Sequence, residues 1–205
     1  MKQEERRQHS TALLLDTVKQ LVREKGCAAV TMKDIMEQSG LSKGAIFHYV
    51  KSKDELFVQV LQERLEDTNV RFRNEVQQSG TSFAEPMRRI SDSIASYADA
   101  EDVTNRILLY LLGREDQPVA AQALKEYYER TLELSAEWIR IGQRHGAIAE
   151  TVDAARTADM FVLLTMGLRV RSSIPGTTER FSASHFSEWI AQMLQPQGRN
   201  DSVKE

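Results

Sequence analysis

Apolar residues recur along most of this chain at intervals of three and four positions, the spacing that predicts amphipathic α-helices. The first stripe contains Leu14, Val18, Leu21 and Val22 and ends at Gly26. No stretch shows the strict alternation of apolar and polar residues that is typical of a half-buried strand. The pattern therefore predicts an all-α protein.

Capping sequences locate the next helices. The segments TMKD and SKDE, which begin at Thr31 and Ser52, have the spacing of a capping box, in which side chains satisfy the first amides of a helix. Between them, SGLS supplies a glycine turn and a serine cap, so we predict short helices over 32–39 and 43–50. Two short helices joined by a turn containing glycine are typical of a helix-turn-helix motif.

Longer helices are predicted further along the chain. The apolar segment NRILLYLLG indicates a helix buried on all sides. The remaining predicted helices cover residues 53–77, 83–98, 118–145, 153–172 and from about 182, and residues 195–205 are predicted to be a frayed tail.

Composition limits the protein classes that are possible. The chain has 205 residues, is 41% hydrophobic and contains only 4 Pro, which is typical of a globular protein. Its longest apolar run, over 160–168, is shorter than the roughly 20 residues of a membrane span, and the N-terminus lacks the apolar core of a secretory signal. We therefore expect a cytoplasmic protein. Cys27 is the single cysteine, which excludes an internal disulfide and a multi-cysteine metal site.

Charge is distributed unevenly along the chain. Residues 1–53 hold 10 basic and 6 acidic side chains, a net charge of +4, whereas residues 54–205 hold 17 and 24, a net charge of −7. A basic N-terminal segment on an acidic body is expected where one small domain binds nucleic acid, although chance clustering also explains it.

The second short helix, KGAIFHYV, has the properties of a recognition helix. Ile46 and Val50 are four residues apart and are expected to face the core. The residues left to face outward are Lys43, Ala45, His48 and Tyr49. Gly44 allows the backbone to approach phosphate, alanine suits a thymine methyl group, and histidine and tyrosine contact base edges or phosphate oxygens.

The whole segment TMKDIMEQSGLSKGAIFHYVKSKDELF resembles the TetR family of transcriptional regulators, and the resemblance extends over residues 8–67. It implies a DNA-binding domain over 8–67, a helical effector-binding and dimerisation domain over 68–205, and a homodimer that binds an inverted repeat. By position it assigns phosphate contacts to Thr31, Ser42, Tyr49 and Lys53, and groove contacts to Lys43, Gly44, Ala45 and His48. Lys33 and Phe47 complete the predicted DNA-contacting set.

Several of these residues also have a purely structural interpretation. Phe47 stands where the family usually has tyrosine, so a hydroxyl that reaches phosphate is missing, and Phe47 and Tyr49 are also interpreted as core aromatics. His48 and Lys53 are also compatible with solvent-facing side chains. Arg6 and Arg7 are compatible with a minor-groove arm or a disordered terminus.

The last two predicted helices carry small residues beside large apolar ones, and two such helices from each of two chains form a four-helix bundle. The predicted dimer interface comprises Phe161, Leu164, Leu168, Phe186, Trp189 and Met193. The predicted effector pocket comprises Arg106, Leu109, Tyr110, Tyr127 and Trp138, and nothing in it selects a particular small molecule.

Enzymatic motifs are absent from the sequence. It contains no P-loop, no GxSxG and no HExxH, and the four histidines lack metal-ligand spacing, so we expect no catalytic residues, no metal and no cofactor. The resemblance favours a repressor that binds duplex DNA and is released by a small effector. The alternative is a helical protein-interaction adaptor whose N-terminal domain, the head (residues 8–67), does not bind DNA. Salt-dependent binding to duplex DNA distinguishes the two.

Overall fold

The computed structural model describes residues 3–78 and 94–194, which form helices joined by short loops without any strand. The helices are α1 (Gln3–Ala29), α2 (Met32–Ser39), α3 (Lys43–Tyr49), α4 (Lys53–Gln78), α5 (Val103–Leu112), α6 (Pro118–Arg144), α7 (Ala154–Ser172) and α8 (Ala183–Leu194). Residues 94–97 are helical as well. The all-α prediction is therefore confirmed. Most of the helix predicted over 83–98 and the tail over 195–205 lie outside the described residues.

Helix boundaries follow the signals in the sequence. Gly26 interrupts α1 with φ 75° and ψ 159°, a conformation that strains any residue with a Cβ, so the regular helix stops where the apolar stripe stops. Helix α2 begins and ends at the predicted residues, and α3 ends one residue early with Val50 as its extended C-cap. Asp102 and Asp153 cap α5 and α7 by accepting hydrogen bonds from two amides each.

The chain divides into two compact units. Unit 1 takes the described residues of Met1–Asp67 and Asp99–Tyr128, and unit 2 takes those of Thr68–Ala98 and Glu129–Glu205. Unit 1 thus groups α5 and the first part of α6 with the segment over 8–67 that is predicted to bind DNA. Helices α4 and α6 each contribute residues to both units.

The core of unit 1 explains why α5 belongs to it. Ile107, Leu108 and Leu111 of α5 are buried in the same apolar cluster as residues of α1 through α4. Leu109 and Tyr110 remain half-exposed, so α5 is less enclosed than its sequence predicts. The cluster also contains Leu14, Val18, Ile35, Ile46, Leu56 and Phe57.

Unit 2 has a separate core. Phe72 of α4 and Ile139 of α6 pack in one cluster with residues of the last two helices. The buried members from α7 and α8 are Ala158, Leu168, Phe186, Ile190 and Leu194. Within residues 3–78 and 94–194, no helix combines the length and hydrophobicity that crossing a membrane requires.

Candidate nucleic-acid interface

Helix α2 is fixed at its start by a complete capping box. The Thr31 hydroxyl accepts a hydrogen bond from the Asp34 amide at 3.2 Å, and the Asp34 carboxylate accepts one from the Thr31 amide at 2.8 Å. The Lys25 ammonium lies 2.7 Å from the same carboxylate. Hydrogen bonds from Lys25 and Thr31 lower the pKa of Asp34 to about 2, so the carboxylate is charged at neutral pH. The Thr31 hydroxyl also donates to this carboxylate at 2.6 Å, so a phosphate contact by Thr31 would have to exchange one of its bonds to Asp34.

The turn between α2 and α3 is also determined locally. Gly40 adopts φ 67° in the left-handed region, and its amide donates to the Met36 carbonyl at 3.1 Å, which ends α2. The Ser42 hydroxyl then accepts a hydrogen bond from the Ala45 amide at 3.2 Å and caps α3. The predicted glycine turn and serine cap are both confirmed.

Helix α3 is divided into a buried and an exposed face. Ile46 and Val50 are buried, as predicted, and Tyr49 is half-buried against the core with its ring centre 5.3 Å from that of His48. Ala45 is half-buried as well. The exposed residues of α3 are Lys43, Gly44, Phe47 and His48.

Phe47 does not take the core position that its sequence also allows. Its side chain is 42% exposed, and the Lys43 ammonium lies 5.7 Å from its ring centre. The spacing of Ile46 and Val50 identifies the core side of α3 but leaves Phe47 at the border of that side, where only the packing of α3 decides whether the ring is buried or exposed.

Two further lysines lie on the surface of this region. Lys33 of α2 is exposed and pairs with Glu37 at 3.6 Å, a surface ion pair that contributes little to stability. Lys51, in the turn before α4, is exposed as well. With Lys43 they provide exposed positive charge on α2, on α3 and in the turn that follows α3.

The start of α4 departs from its predicted capping box in one bond. The Ser52 hydroxyl accepts from the Glu55 amide at 3.2 Å, as expected, but the Glu55 carboxylate accepts from the Lys51 amide at 2.7 Å instead of that of Ser52. The hydrogen bond to the Glu55 side chain therefore comes from the amide one residue before the predicted one. Helix α4 still begins at Lys53, where the sequence predicts it.

The Lys53 ammonium is hydrogen-bonded within its own chain. Its ammonium donates to the backbone carbonyls of Cys27, Ala28 and Val30 at 3.1, 3.3 and 2.8 Å. It also lies 5.3 Å from the ring centre of Tyr110. This differs from the outward, phosphate-facing position that the family resemblance implies for Lys53.

The neighbouring Asp54 is buried and pairs with Arg114. The Arg114 side chain lies 3.2 Å from its carboxylate, and the guanidinium stacks 5.2 Å from the ring centre of Tyr110. Burial, with the charge of Asp54, raises the pKa of Tyr110, so its phenol is protonated at neutral pH. Burial likewise raises the pKa of Cys27 to about 11, which keeps the thiol unreactive.

Three of the predicted effector residues are engaged in contacts within their own unit. Arg106 pairs with Glu101 and donates to the carbonyl of Val22 at 3.4 Å. The Trp138 indole donates to Asn69 at 3.2 Å. Tyr110 packs edge-on against Phe57 with ring centres 5.3 Å apart. Arg106, Leu109, Tyr110 and Tyr127 belong to unit 1, and Trp138 belongs to unit 2.

A groove of about 450 Å³ lies in unit 1 between α4 and α6, and it was not anticipated from the sequence. Val58, Pro118 and Val119 form part of its apolar lining, and Glu55 and Glu126 stand among its polar residues. None of the five predicted effector residues lines this groove. Its residues recur at steps of one and three residues on each of two helices that are distant in sequence, so only the packing of α4 on α6 brings them together.

The predicted dimer residues divide into buried and exposed groups. Phe186 and Leu168 are buried within unit 2, which corrects their assignment to an intermolecular surface, and Phe161 and Met193 are half-buried. Trp189 is 40% exposed, and Leu164 is exposed as well. Only these last two predicted residues are largely available to a second chain.

An apolar stripe on α7 extends the exposed group. Leu163 is 57% exposed, Val170 on the same helix is exposed, and Ile174 is exposed two residues after the helix ends. Together with the half-exposed Met160 and the exposed Gly167 they recur at spacings of three and four residues, the pattern of helices that pack against each other. This spacing is present in the sequence, but the predicted interface used the neighbouring positions Phe161, Leu164 and Leu168 of the same helix.

Comparison with known proteins agrees with this geometry. The family model described as "Bacterial regulatory proteins, tetR family" matches residues 14–60, which include α2, α3 and the start of α4. The HTH-type transcriptional regulator UidR of Escherichia coli (strain K12) is 26% identical over 157 residues, covering 76% of this chain and 77% of UidR. The HTH-type transcriptional repressor KstR2 of Mycobacterium tuberculosis (strain CDC 1551 / Oshkosh) is 27% identical over 130 residues, 62% of each protein.

The fold is also found in solved structures. A TetR transcription regulator from Haloarcula marismortui ATCC 43049 superposes with a TM-score of 0.67 at 19% sequence identity. The superposition covers 92% of this chain and all of that one, so the similarity extends well beyond the helix-turn-helix segment. These named relatives are transcriptional regulators and not enzymes.

Proposed function

Because the chain belongs to the TetR family of transcriptional regulators, we propose that it is a repressor that binds a palindromic operator as a homodimer and leaves it when a small molecule binds. The observation that carries the proposal is the arrangement of α3. Its core side is fixed by Ile46 and Val50, while Lys43, Gly44 and His48 face solvent. A recognition helix needs this division, because its exposed side enters the major groove.

Two kinds of contact are proposed for this surface. Lys33, Ser42 and the half-buried Tyr49 would meet phosphates, which position the protein without reading sequence. Lys43, Gly44, Ala45, Phe47 and His48 would lie in the groove and meet base edges and methyl groups, which supply the specificity. Repression follows from competition for promoter DNA, and the relative KstR2 is named a repressor.

The homodimer is proposed from the stripe on α7. Leu163 and Val170 expose apolar surface on one side of α7, Ile174 is an exposed apolar residue just beyond the end of this helix, and Trp189 is another on α8. Burying this surface against the same surface of a second chain gives a twofold assembly. A twofold protein presents one recognition helix to each half of an inverted repeat.

Duplex binding tests the proposal directly. A labelled fragment of the DNA upstream of the gene is titrated with the full chain at several salt concentrations, with an unrelated fragment as the control. We expect tighter binding to the upstream fragment and a linear fall of log K with log salt. Equal, undetectable binding to both fragments would favour a helical adaptor.

Base reading by α3 gives a more specific prediction. Substituting Ala45 by Ser or His48 by Ala is expected to change the preference among operator variants by about 1–3 kcal/mol at particular base pairs. Affinities for a panel of single-base operator variants, measured by fluorescence anisotropy, check this. A uniform loss over the whole panel would assign Ala45 and His48 to the scaffold of the head.

Release by an effector is proposed through α4. This helix runs without interruption from Lys53, beside the recognition helix, to Gln78, and so contributes to both units. A small, partly apolar molecule that favours a different position of α4 would alter the spacing of the two recognition helices of the dimer. The predicted effector residues Arg106, Leu109, Tyr110 and Tyr127 of unit 1 are one proposed place to search for its site, and Trp138 of unit 2 is another.

The effector proposal predicts reciprocal linkage. A compound found by thermal-shift screening should bind operator-saturated protein more weakly than the DNA-free protein, by the factor by which it weakens operator binding, typically about 5- to 150-fold. Calorimetric titration of the compound with and without saturating operator measures this. Equal affinities would leave a regulator that is controlled by its abundance.

A further inference from the structure

The ammonium of Lys53 fills a specific structural need at the end of α1. Gly26 breaks the helix, and the capping box of α2 then occupies the amides of Thr31 and Asp34. In a continuing helix, these two amides would donate to the carbonyls of Cys27 and Val30, which lie four residues earlier. The same two carbonyls accept hydrogen bonds from Lys53, at 3.1 and 2.8 Å.

All the donors of this ammonium are accounted for. A lysine ammonium has three N–H bonds, and three carbonyls, including that of Ala28 at 3.3 Å, accept them. The charge also lies 5.9 Å from the ring centre of Phe57 and 5.3 Å from that of Tyr110, where the faces of aromatic rings attract cations. A phosphate could not receive a hydrogen bond from Lys53 unless one of these carbonyls lost its own.

The hydrogen bonds of Lys53 link the parts of the head whose alignment base recognition depends on. Cys27, Ala28 and Val30 lead from the end of α1 into the Thr31 cap of α2, and Lys53 opens α4 directly after the recognition helix. One side chain therefore connects the residues that precede α2 to the residue that begins α4. We propose that Lys53 is a positioning residue, which sets the orientation of α2 and α3 by holding these carbonyls, and not a phosphate ligand.

This inference rests on the proposed DNA binding and is tested with the full chain and the upstream fragment. Lys53→Met keeps the length of the side chain and removes its donors, Lys53→Arg restores donors, and Lys51→Met is the matched control at an exposed lysine two residues earlier. Affinity is measured over a series of salt concentrations, and thermal unfolding establishes that each variant is folded.

We expect Lys53→Met to weaken binding about tenfold, comparable to a mismatched base pair, with the salt slope retained. Lys53→Arg should recover most of the affinity. Lys51→Met, if its ammonium meets phosphate, should make the slope shallower by about 1.8, because about 0.9 is lost for each of two heads. A shallower slope for Lys53→Met of that size, or an unchanged affinity, would overturn the positioning role.

A second measurement does not depend on the folding of any variant. In the full chain labelled with 15N-lysine, the side-chain nitrogen signal of Lys53, assigned by its loss in Lys53→Arg, should stay in place when the upstream duplex is added. A large shift on adding DNA would identify Lys53 as a phosphate ligand. Failure of the wild-type chain to bind any duplex would instead count against the proposed function itself.

Discussion

Leu163→Glu is expected to convert the dimer into monomers and to reduce operator affinity by about 10²- to 10⁴-fold. Leu163 is 57% exposed within the apolar stripe on α7, so in the proposed dimer the carboxylate would be buried without a partner. A monomer binds one half-site and loses the effective concentration that linking two heads provides, which accounts for the size of the effect. Sedimentation velocity and operator titration measure the two consequences.

The control for this variant is Val70→Glu, which places the same charge at another exposed apolar residue. Val70 lies on α4 and is 53% exposed, so its substitution should leave both the sedimentation coefficient and the operator affinity close to wild type. If Leu163→Glu still sediments as a dimer, the stripe on α7 is not the interface.

Phe57→Ala is expected to lower the free energy of unfolding by about 3–5 kcal/mol. Phe57 is 0% exposed and packs edge-on against Tyr110, so its removal leaves a cavity in the apolar cluster that also contains Ile46 of α3. Operator binding should be lost to the extent that the head unfolds. Chemical denaturation, monitored by the helical circular dichroism signal, measures the change in stability.

Phe47→Ala is the matched control, because it removes the same ring from an exposed position ten residues earlier. We expect its free energy of unfolding to stay within about 0.5 kcal/mol of wild type. Operator affinity should nevertheless fall, since Phe47 belongs to the surface proposed to enter the groove. A large destabilisation by Phe47→Ala would indicate that the ring is buried in solution.

The local structure of the head was predictable because its signals are local. Thr31 and Ser42 accept hydrogen bonds from amides three residues ahead, and Gly40 adopts a left-handed conformation that residues with a Cβ avoid. Each of these interactions lies within a few residues along the chain, so spacing alone located α2, α3 and the turn between them.

The roles of several side chains were not predictable in this way. Phe186 and Trp189 lie three residues apart on α8 and both suggested an interface, yet Phe186 is buried within unit 2 and Trp189 is exposed. Lys53 was expected to face phosphate, but it donates to carbonyls 23 to 26 residues earlier in the chain. Its partners are backbone atoms, which are the same for every residue type and therefore leave no mark in the sequence.

The sequence by itself determined the all-α class, the helix-turn-helix and the family, because helix periodicity, caps and the glycine turn depend on neighbours along the chain. Tertiary structure alone decided that Phe47 is exposed, that α5 joins unit 1 and that Lys53 spans from α4 to the end of α1. It also decided which part of α7 presents apolar surface. These properties depend on which helices meet, and burial of a side chain is a property of that packing and not of residue type.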